Sequence, residues 1–197
     1  IIERHDSHTL AEFAEKAPSA FLAGATEFFV RCVDMALAEG KEGKGWYELN
    51  YRTYSGDHFG SDKFLSIYRD ALEKVAQQDF DKAKKYLQQL DPHKHECLIH
   101  LHLEAIRANP EKFSRSLPNL TQNKVVLEAG YNGADCFSFA HACKAAFPYL
   151  DLMKKQKIEQ IILAYIPEIK FAAHILNEIK NGENAWEWTQ ENAIYQL

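Results

Sequence analysis

A run of aromatic residues between positions 46 and 68 is the part of this sequence best suited to holding a flat ligand. Seven aromatic side chains fall within 23 residues, where the chain average of 12% would give about three. They are Trp46, Tyr47, Tyr51, Tyr54, Phe59, Phe64 and Tyr68. Tyr and Trp stack a nucleobase with about 1 to 3 kcal/mol for each base. Rings of this kind also pack well into hydrophobic cores, so energy alone does not separate a pocket from a core.

Basic and turn-forming residues lie among these rings. Gly56 and Gly60 would let a backbone turn present N–H groups to an anion. A helix that starts at Ser61 would add the partly positive end of its dipole. The candidate ligand-binding residues of this segment are Trp46, Tyr47, Tyr51, Arg52, Tyr54, His58 and Lys63. The other interpretation is a tyrosine-rich helix that packs on its neighbours with its hydroxyls at the surface.

A second set of potential ligands is the histidine-rich stretch HKHECLIHLH at residues 93–102. On a helix that begins at His93, each residue advances by about 100°, so His95 and His102 point almost opposite to His93 and His100. One metal ion therefore cannot reach all four. The residues that share one side are His93, Glu96, Cys97, His100 and Glu104. Zinc sites usually gather ligands from two elements, so we expect hydrogen-bonded histidines here rather than a metal site.

Local signatures of catalysis are missing from the sequence. The chain has no GxSxG motif and neither of the phosphate-binding patterns GxGxxG and GxxxxGK[ST]. In HACK, a helix would turn His141 and Cys143 to nearly opposite sides. The acidic residues near the aromatic run are dispersed, and we expect them to be solvated. The sequence therefore favours a non-catalytic protein and predicts no catalytic residue, no metal and no cofactor.

Composition excludes several partners. Acidic residues outnumber basic ones 28 to 23, whereas proteins that bind nucleic acid polymers or anionic membranes usually carry a basic excess. The run IILAYIPEI is broken by Pro167 and is far shorter than the roughly 20 residues that cross a bilayer, so we expect no membrane span.

Cysteine usage indicates the compartment. The four cysteines form no CxxC pair and lie in apolar contexts, which predicts buried thiols in a soluble protein of a reducing compartment. Because the chain begins with Ile1 and carries no charged leader, we expect it to be a fragment of a longer protein.

Helical periodicity runs through most of the chain. Apolar residues recur at helical spacing from Phe21 to Leu37, at Phe21, Ala25, Phe28, Cys32 and Met35 with Phe29, Val33 and Ala36 beside them, which predicts a core helix that ends at Gly40. Other expected helices begin at Thr9, at Ser19 and at Asp79, and one runs from His93 to Ala108. Residues 114–123, SRSLPNLTQN, are expected to be irregular.

The expected fold follows from this pattern. We count about nine helices and no alternating strands, which predicts an all-α single compact domain over residues 1–197. The stretch DFDKAKKYLQQLDP resembles one helix of a tetratricopeptide repeat, but nothing similar lies 34 residues away. A regular repeat array is therefore not expected.

One family resemblance involves the aromatic segment. The turn NYRTYSGDHFGSDKF at residues 50–64, set in a helical chain rich in Asn, Gln, Lys and Phe, resembles the nucleotide-binding KLAMP domains of Legionella-type secreted effector proteins. Tyrosines of those domains stack an adenine ring. The resemblance implies that Trp46, Tyr51 or Tyr54 stacks the base and that Arg52 and Lys63 hold phosphate. It also implies a virulence protein that is secreted into the host cytoplasm, with a host protein as a partner.

The leading functional hypothesis is a non-catalytic or regulatory domain that binds an adenine-type nucleotide. A helical protein–protein interaction module without a small-molecule ligand is the first alternative. The second alternative is a metal-dependent hydrolase that uses the His93–His102 helix.

Overall fold

The structure is a computed structural model and describes residues 4–38, 64–122, 126 and 138–164. Its helices are α1 Arg4–Lys16, α2 Pro18–Ala38, α3 Phe64–Gln78, α4 Phe80–Leu87, α5 Glu96–Ala108, α6 Pro110–Phe113, α7 Leu117–Leu120, α8 Ser138–Ala146 and α9 Leu152–Ala164. Two short 3₁₀ turns, Ser114–Ser116 and Phe147–Tyr149, join neighbouring helices. These residues contain no strand, so the predicted all-α class is confirmed.

One continuous cluster of buried apolar side chains extends from Ala14 in α1 to Ile162 in α9. The helix α5 lies near its centre, and Leu98, Leu101 and Leu103 of this helix are almost completely buried. Burying apolar surface on several sides of one helix requires neighbours all around it, and α3 and α8 pack against it. The helices therefore form one compact domain around a shared core, as predicted.

An aromatic cluster joins α2 to α3. The rings of Phe29 and Tyr68 stack with their centroids 4.9 Å apart, and Phe21 and Phe64 pack beside them. Thr26 donates its hydroxyl to the carbonyl of Leu22, so the hydroxyl of Tyr68, 2.7 Å away, donates to Thr26 Oγ1. This arrangement supplies a hydrogen bond to each buried hydroxyl, as interiors usually require.

The predicted apolar positions of α2 divide into two stripes, of which one is buried and the other is partly exposed. Phe28 and Met35 are 53% and 55% exposed, whereas Phe29, Val33 and Ala36 are buried. Both stripes have helical spacing, and the sequence of a helix that is apolar around much of its surface does not fix which face is covered. The position of α3 determines which face of α2 is buried, because Tyr68 of α3 stacks on Phe29.

Several predicted helix starts were wrong, while the start at Asp79 is confirmed. The carboxylate of Asp79 accepts from the backbone N–H of Lys82 at 3.1 Å, as an N-cap does. Thr9 instead lies inside α1, and α2 begins at Pro18 rather than at a cap on Ser19. Proline suits a first helical position because it has no N–H that needs a partner.

The segment expected to be irregular is also largely helical. Residues 114–120 form a 3₁₀ turn followed by α7, in which Leu117 and Leu120 are buried. Pro118 stands in the first turn of α7, where proline is tolerated. Burial of the two leucines therefore outweighs the turn-forming composition that suggested a loop.

Candidate functional site

The candidate ligand-binding residues of the aromatic segment lie outside the residues that the structure describes. They are Trp46, Tyr47, Tyr51, Arg52, Tyr54, His58 and Lys63. Their role as a nucleotide pocket stays a prediction. Two other aromatics of the same run, Phe64 and Tyr68, are described, and both pack against the core at the start of α3.

The ring of Phe64 also contacts the exposed side of α2. Phe28 meets it edge to face, with the ring centroids 5.3 Å apart. Since Phe28 remains half exposed, this ring pair connects the buried aromatic cluster to the surface. The last two residues of the aromatic run, Phe64 and Tyr68, therefore belong to a packed cluster of rings from α2 and α3.

A buried polar cluster lies where α3, α5 and α8 meet. His100 and Glu104 of α5 and Ser138, the first residue of α8, are each less than 10% exposed. The imidazole Nδ1 of His100 is 2.9 Å from Ser138 Oγ and 3.7 Å from Glu104 Oε1. The predicted placement of His100 and Glu104 on one side of a helix is correct.

Arg107 binds the Glu104 carboxylate and connects it to charged residues of α3. Arg107 Nε donates to Glu104 Oε2 at 2.6 Å, and Arg107 Nη2 donates to Glu73 Oε1 at 2.9 Å. Arg69 Nε lies 3.8 Å from the same Glu73 oxygen and donates to Asp70 as well. The cluster therefore extends from the buried His100 to a solvent-exposed chain of ion pairs on α3 and α5.

Burial changes the protonation of both central groups. The pKa of His100 falls to about 3 because burial disfavours the charged imidazolium, and because Arg69 and Arg107 repel it. The pKa of Glu104 rises to about 7, chiefly because burial disfavours the carboxylate and with Glu73 adding repulsion, while Arg107 opposes the rise. At neutral pH His100 is therefore a neutral imidazole. The Glu104 carboxyl group beside it is partly protonated because its pKa is raised.

The three residues do not form a hydrolase triad. A triad places the nucleophile on one imidazole nitrogen and the carboxylate on the other, so that the proton passes through the ring. Here Ser138 and Glu104 both face Nδ1. Ser138 Oγ is also buried, which keeps a substrate carbonyl from its hydroxyl. The arrangement supports a structural or proton-responsive role instead.

The histidine-rich stretch differs from the expected helix. The helix α5 starts at Glu96 rather than at His93, and His95 is its N-cap, accepting through Nδ1 from the backbone N–H of Cys97 at 3.1 Å. The preceding turn forms because Asp91 accepts from the backbone N–H of His93. A capping imidazole satisfies orphan N–H groups of the first turn, which explains the later start.

His102 and Cys97 of the histidine-rich stretch contact other protein groups and do not form a metal centre with the residues that the structure describes. His102 Nε2 lies 2.7 Å from the carbonyl oxygen of Leu90 and so donates to it. Among described residues, no three His, Cys, Asp or Glu side chains are grouped so as to hold a metal ion. The Sγ of Cys97 lies 3.0 Å from His95 Nδ1, but burial raises the pKa of this thiol and keeps it neutral.

An open groove of about 640 Å³ lies between α1 and α3. Small and apolar side chains, including Ala11, Ala14 and Ala71, contribute to its lining. Its charged residues are Glu12, Glu15, Asp70, Glu73 and Lys74. The excess of carboxylates opposes the binding of a phosphate group, so this groove does not suit a nucleotide.

No protein-family model, curated protein or solved structure matches the chain. Within the described residues, every helix is too short or too polar to cross a membrane.

Proposed function

We propose that this chain is a non-catalytic domain that binds an adenine-type nucleotide through the aromatic segment before α3. The observation that carries the proposal is the density of rings and basic residues between positions 46 and 64. In the proposed site Trp46, Tyr51 or Tyr54 stacks the base. Arg52 and Lys63 hold the phosphates, and Tyr47 and His58 line the same pocket.

The packing of α3 supports this placement of the ligand. Phe64 and Tyr68 hold the start of α3 against α2 through ring contacts and a buried hydroxyl pair. Lys63 immediately precedes Phe64 in the sequence. A ligand-binding residue that adjoins a rigid element loses less conformational freedom on binding, which favours affinity.

Charge disfavours the groove between α1 and α3 as the phosphate site, because the groove has more carboxylates than cations and its described lining offers no arginine. The aromatic segment offers the basic residues Arg52, His58 and Lys63, although Glu48, Asp57 and Asp62 lie in the same stretch of sequence. Because Arg binds phosphate through charge-assisted hydrogen bonds, we expect affinity to increase with the number of phosphates.

A thermal-shift series with adenosine, AMP, ADP and ATP tests the proposal. A ligand that binds only the folded state raises the melting temperature by an amount that increases with its affinity and its concentration. We expect stabilisation by the nucleotides and a smaller effect of adenosine. Arg52→Ala should reduce the difference between adenosine and ATP, and Arg115→Ala, which removes an exposed arginine elsewhere, should not. An unchanged melting temperature with every ligand contradicts the proposal.

The wider setting follows from the resemblance to secreted effectors. We propose that the domain belongs to an effector protein that acts in the host cytoplasm, where nucleotides are abundant. In this setting the bound nucleotide would regulate the rest of the protein and would not be a substrate of a reaction.

An interaction module is the second candidate function. It is favoured by the exposed apolar residues Phe28 and Met35, which lie seven residues apart on one face of α2. If this face binds a host protein, Phe28→Glu with Met35→Glu abolishes the complex and leaves nucleotide stabilisation intact. Loss of nucleotide stabilisation without loss of fold assigns the face to the nucleotide site instead.

A further inference from the structure

Three large apolar side chains lie exposed where the second 3₁₀ turn meets the start of α9. Tyr149 is 52% exposed, and Leu152 and Met153, at 69% and 79%, are the most exposed large apolar side chains of the described residues. Leu150 and Ile158, on either side of them in the sequence, are buried in the core and anchor this part of the chain. The three exposed residues, named here the apolar tip, are therefore held outside the core by packed neighbours.

Lysine side chains surround the apolar tip. Lys154 Nζ contacts the carboxylate of Asp151, the residue before α9. Lys155 Nζ lies 5.9 Å from the centre of the Phe147 ring, at the other end of the turn. Both side chains therefore point back toward the turn, as side chains on a helix generally do. Lys157 is exposed and follows the tip by about one helical turn, so its ammonium group lies close to the tip as well.

The charge around the tip is positive, although the net charge of the whole chain is -5. Lys154 is paired with Asp151, which leaves Lys155 and Lys157 in excess near the tip. The acidic residue Glu159 is about 10 Å further along the axis from the first residue of α9. The acidic excess of the whole chain predicts no binding to anionic membranes, but that excess is an average. Because salt screens exposed charges beyond about 10 Å, a surface that meets the tip responds to the local charge.

The composition of this surface favours a membrane over a protein as its partner. Interfaces between proteins are depleted of lysine, whereas three lysines border the apolar tip. Segments that lie at a membrane surface combine exposed apolar side chains with lysines, which are attracted to anionic lipids. The long stem of a lysine also lets its ammonium group stay among the lipid head groups while neighbouring apolar side chains enter more deeply. The tip and its lysines have both features.

We propose that the apolar tip and the lysines around it bind this protein to the surface of an anionic phospholipid bilayer. Leu152 and Met153 enter the boundary between the head groups and the acyl chains. Lys155 and Lys157 contact the lipid phosphates. Because few apolar groups enter the bilayer, binding is weak and reversible, and salt weakens it further. The binding surface lies within α9 and the turn before it and does not depend on the proposed nucleotide site.

Sedimentation with lipid vesicles tests this inference. One set of vesicles contains phosphatidylcholine mixed with phosphatidylserine, and the other contains phosphatidylcholine alone. We expect the wild type to bind the mixed vesicles, to bind the neutral vesicles much less, and to be released by added salt. Leu152→Asn with Met153→Asn should abolish binding. Lys155→Gln with Lys157→Gln should weaken it by about fivefold for each lysine, which is the scale of the attraction between one basic residue and an anionic membrane.

Two matched controls separate the tip from the rest of the surface. Leu163 is 58% exposed on the same helix but lies about 16 Å from Leu152 along the helix axis, so Leu163→Asn should leave binding unchanged. Lys84→Gln with Lys85→Gln removes the same charge from exposed positions on α4 and should also leave binding unchanged. The melting temperature of each variant verifies that it is folded.

Three results would overturn the inference. Wild-type protein that stays in solution with both kinds of vesicle would leave an acidic protein as the partner of the tip. Equal binding of the wild type to both kinds of vesicle would show that the lysines do not contribute. A loss of binding in Leu163→Asn as large as that in the tip variant would assign binding to the whole outer face of α9. Because the first two results are read from the wild type, the test remains decisive even if a variant does not fold.

Discussion

The hydroxyl of Tyr68 lies 2.7 Å from the hydroxyl of Thr26 in the buried space between α2 and α3. Thr26 is also bonded to the carbonyl of Leu22 at 2.6 Å, so the Tyr68 hydroxyl is the donor in a short chain of three groups. Burial raises the pKa of Tyr68 above its ordinary value, which keeps the phenol protonated and able to donate. This bond and the stack on Phe29 hold α3 in register with α2.

Removing the hydroxyl of Tyr68 and removing that of Thr26 should lower the free energy of unfolding by different amounts. Tyr68→Phe deletes only the donor and leaves Thr26 bonded to Leu22, so we expect a loss of about 0.5 to 1.5 kcal/mol in the free energy of unfolding. Thr26→Val leaves the buried phenol without its acceptor, with an expected loss of about 1 to 3 kcal/mol. Urea denaturation measures both. Tyr149→Phe on the surface is the control, and an equal loss there contradicts the assignment.

The contribution of Glu104 to stability should fall as the pH rises. Its folded pKa of about 7 lies above the ordinary 4.5, so the folded state binds the proton more tightly than the unfolded state. The stabilisation is complete below pH 4.5 and is lost as the pH rises to about 7, by up to about 1.4 kcal/mol for each pH unit. The difference in unfolding free energy between wild type and Glu104→Gln, measured across this range, isolates it. A difference that is constant with pH is inconsistent with a buried, titrating Glu104.

The contribution of His100 should change in the opposite direction. Its folded pKa of about 3 lies below the ordinary 6.5, so its stabilisation is present above pH 6.5 and is lost as the pH falls toward 3. Between pH 4.5 and 6.5 the unfolded chain holds one proton on His100 and the folded chain holds one on Glu104. The two slopes then cancel in the wild type. The same denaturation series on His100→Gln should uncover a stability that decreases as the pH rises through this window, and an unchanged profile would contradict it.

The buried thiols should be protected from alkylation. Cys97 and Cys143 are completely buried, and burial raises the pKa of each thiol, so reactive thiolate is scarce. Mass spectrometry after brief treatment with iodoacetamide should find both unmodified in the native protein and modified in urea. Cys32, which is partly exposed, should react faster than either. Rapid native modification of Cys97 would show that α5 is not packed as described.

The sequence predicts the helical elements better than their contacts. The cap at Asp79 and the shared side of His100 and Glu104 depend on neighbours three or four residues away, so the local pattern is enough. Ser138 is 38 residues from His100, and no local signal connects them. The exposure of Phe28 instead of Phe29 likewise depends on where α3 packs.

The helix start at Glu96 shows a different limit. His95 is the N-cap of α5, a role that Ser, Thr, Asp and Asn have more often. The sequence pattern therefore predicts a longer helix that begins at His93. The polar cluster around Glu104 has no local signal in the sequence. Glu73 and Arg107 are 34 residues apart, and only the fold brings them together at 2.9 Å.

Calorimetric titration of ATP into the wild type, Tyr51→Ala and Tyr54→Ala tests the central claim most directly. If these rings stack the adenine, each substitution should weaken binding by about 1 to 3 kcal/mol, or roughly 5- to 150-fold. Phenylalanine at the same positions should largely preserve binding, and Tyr149→Ala should not affect it. Wild-type protein that binds no ATP, or folded alanine variants that bind it as tightly as the wild type, would contradict the nucleotide-binding proposal.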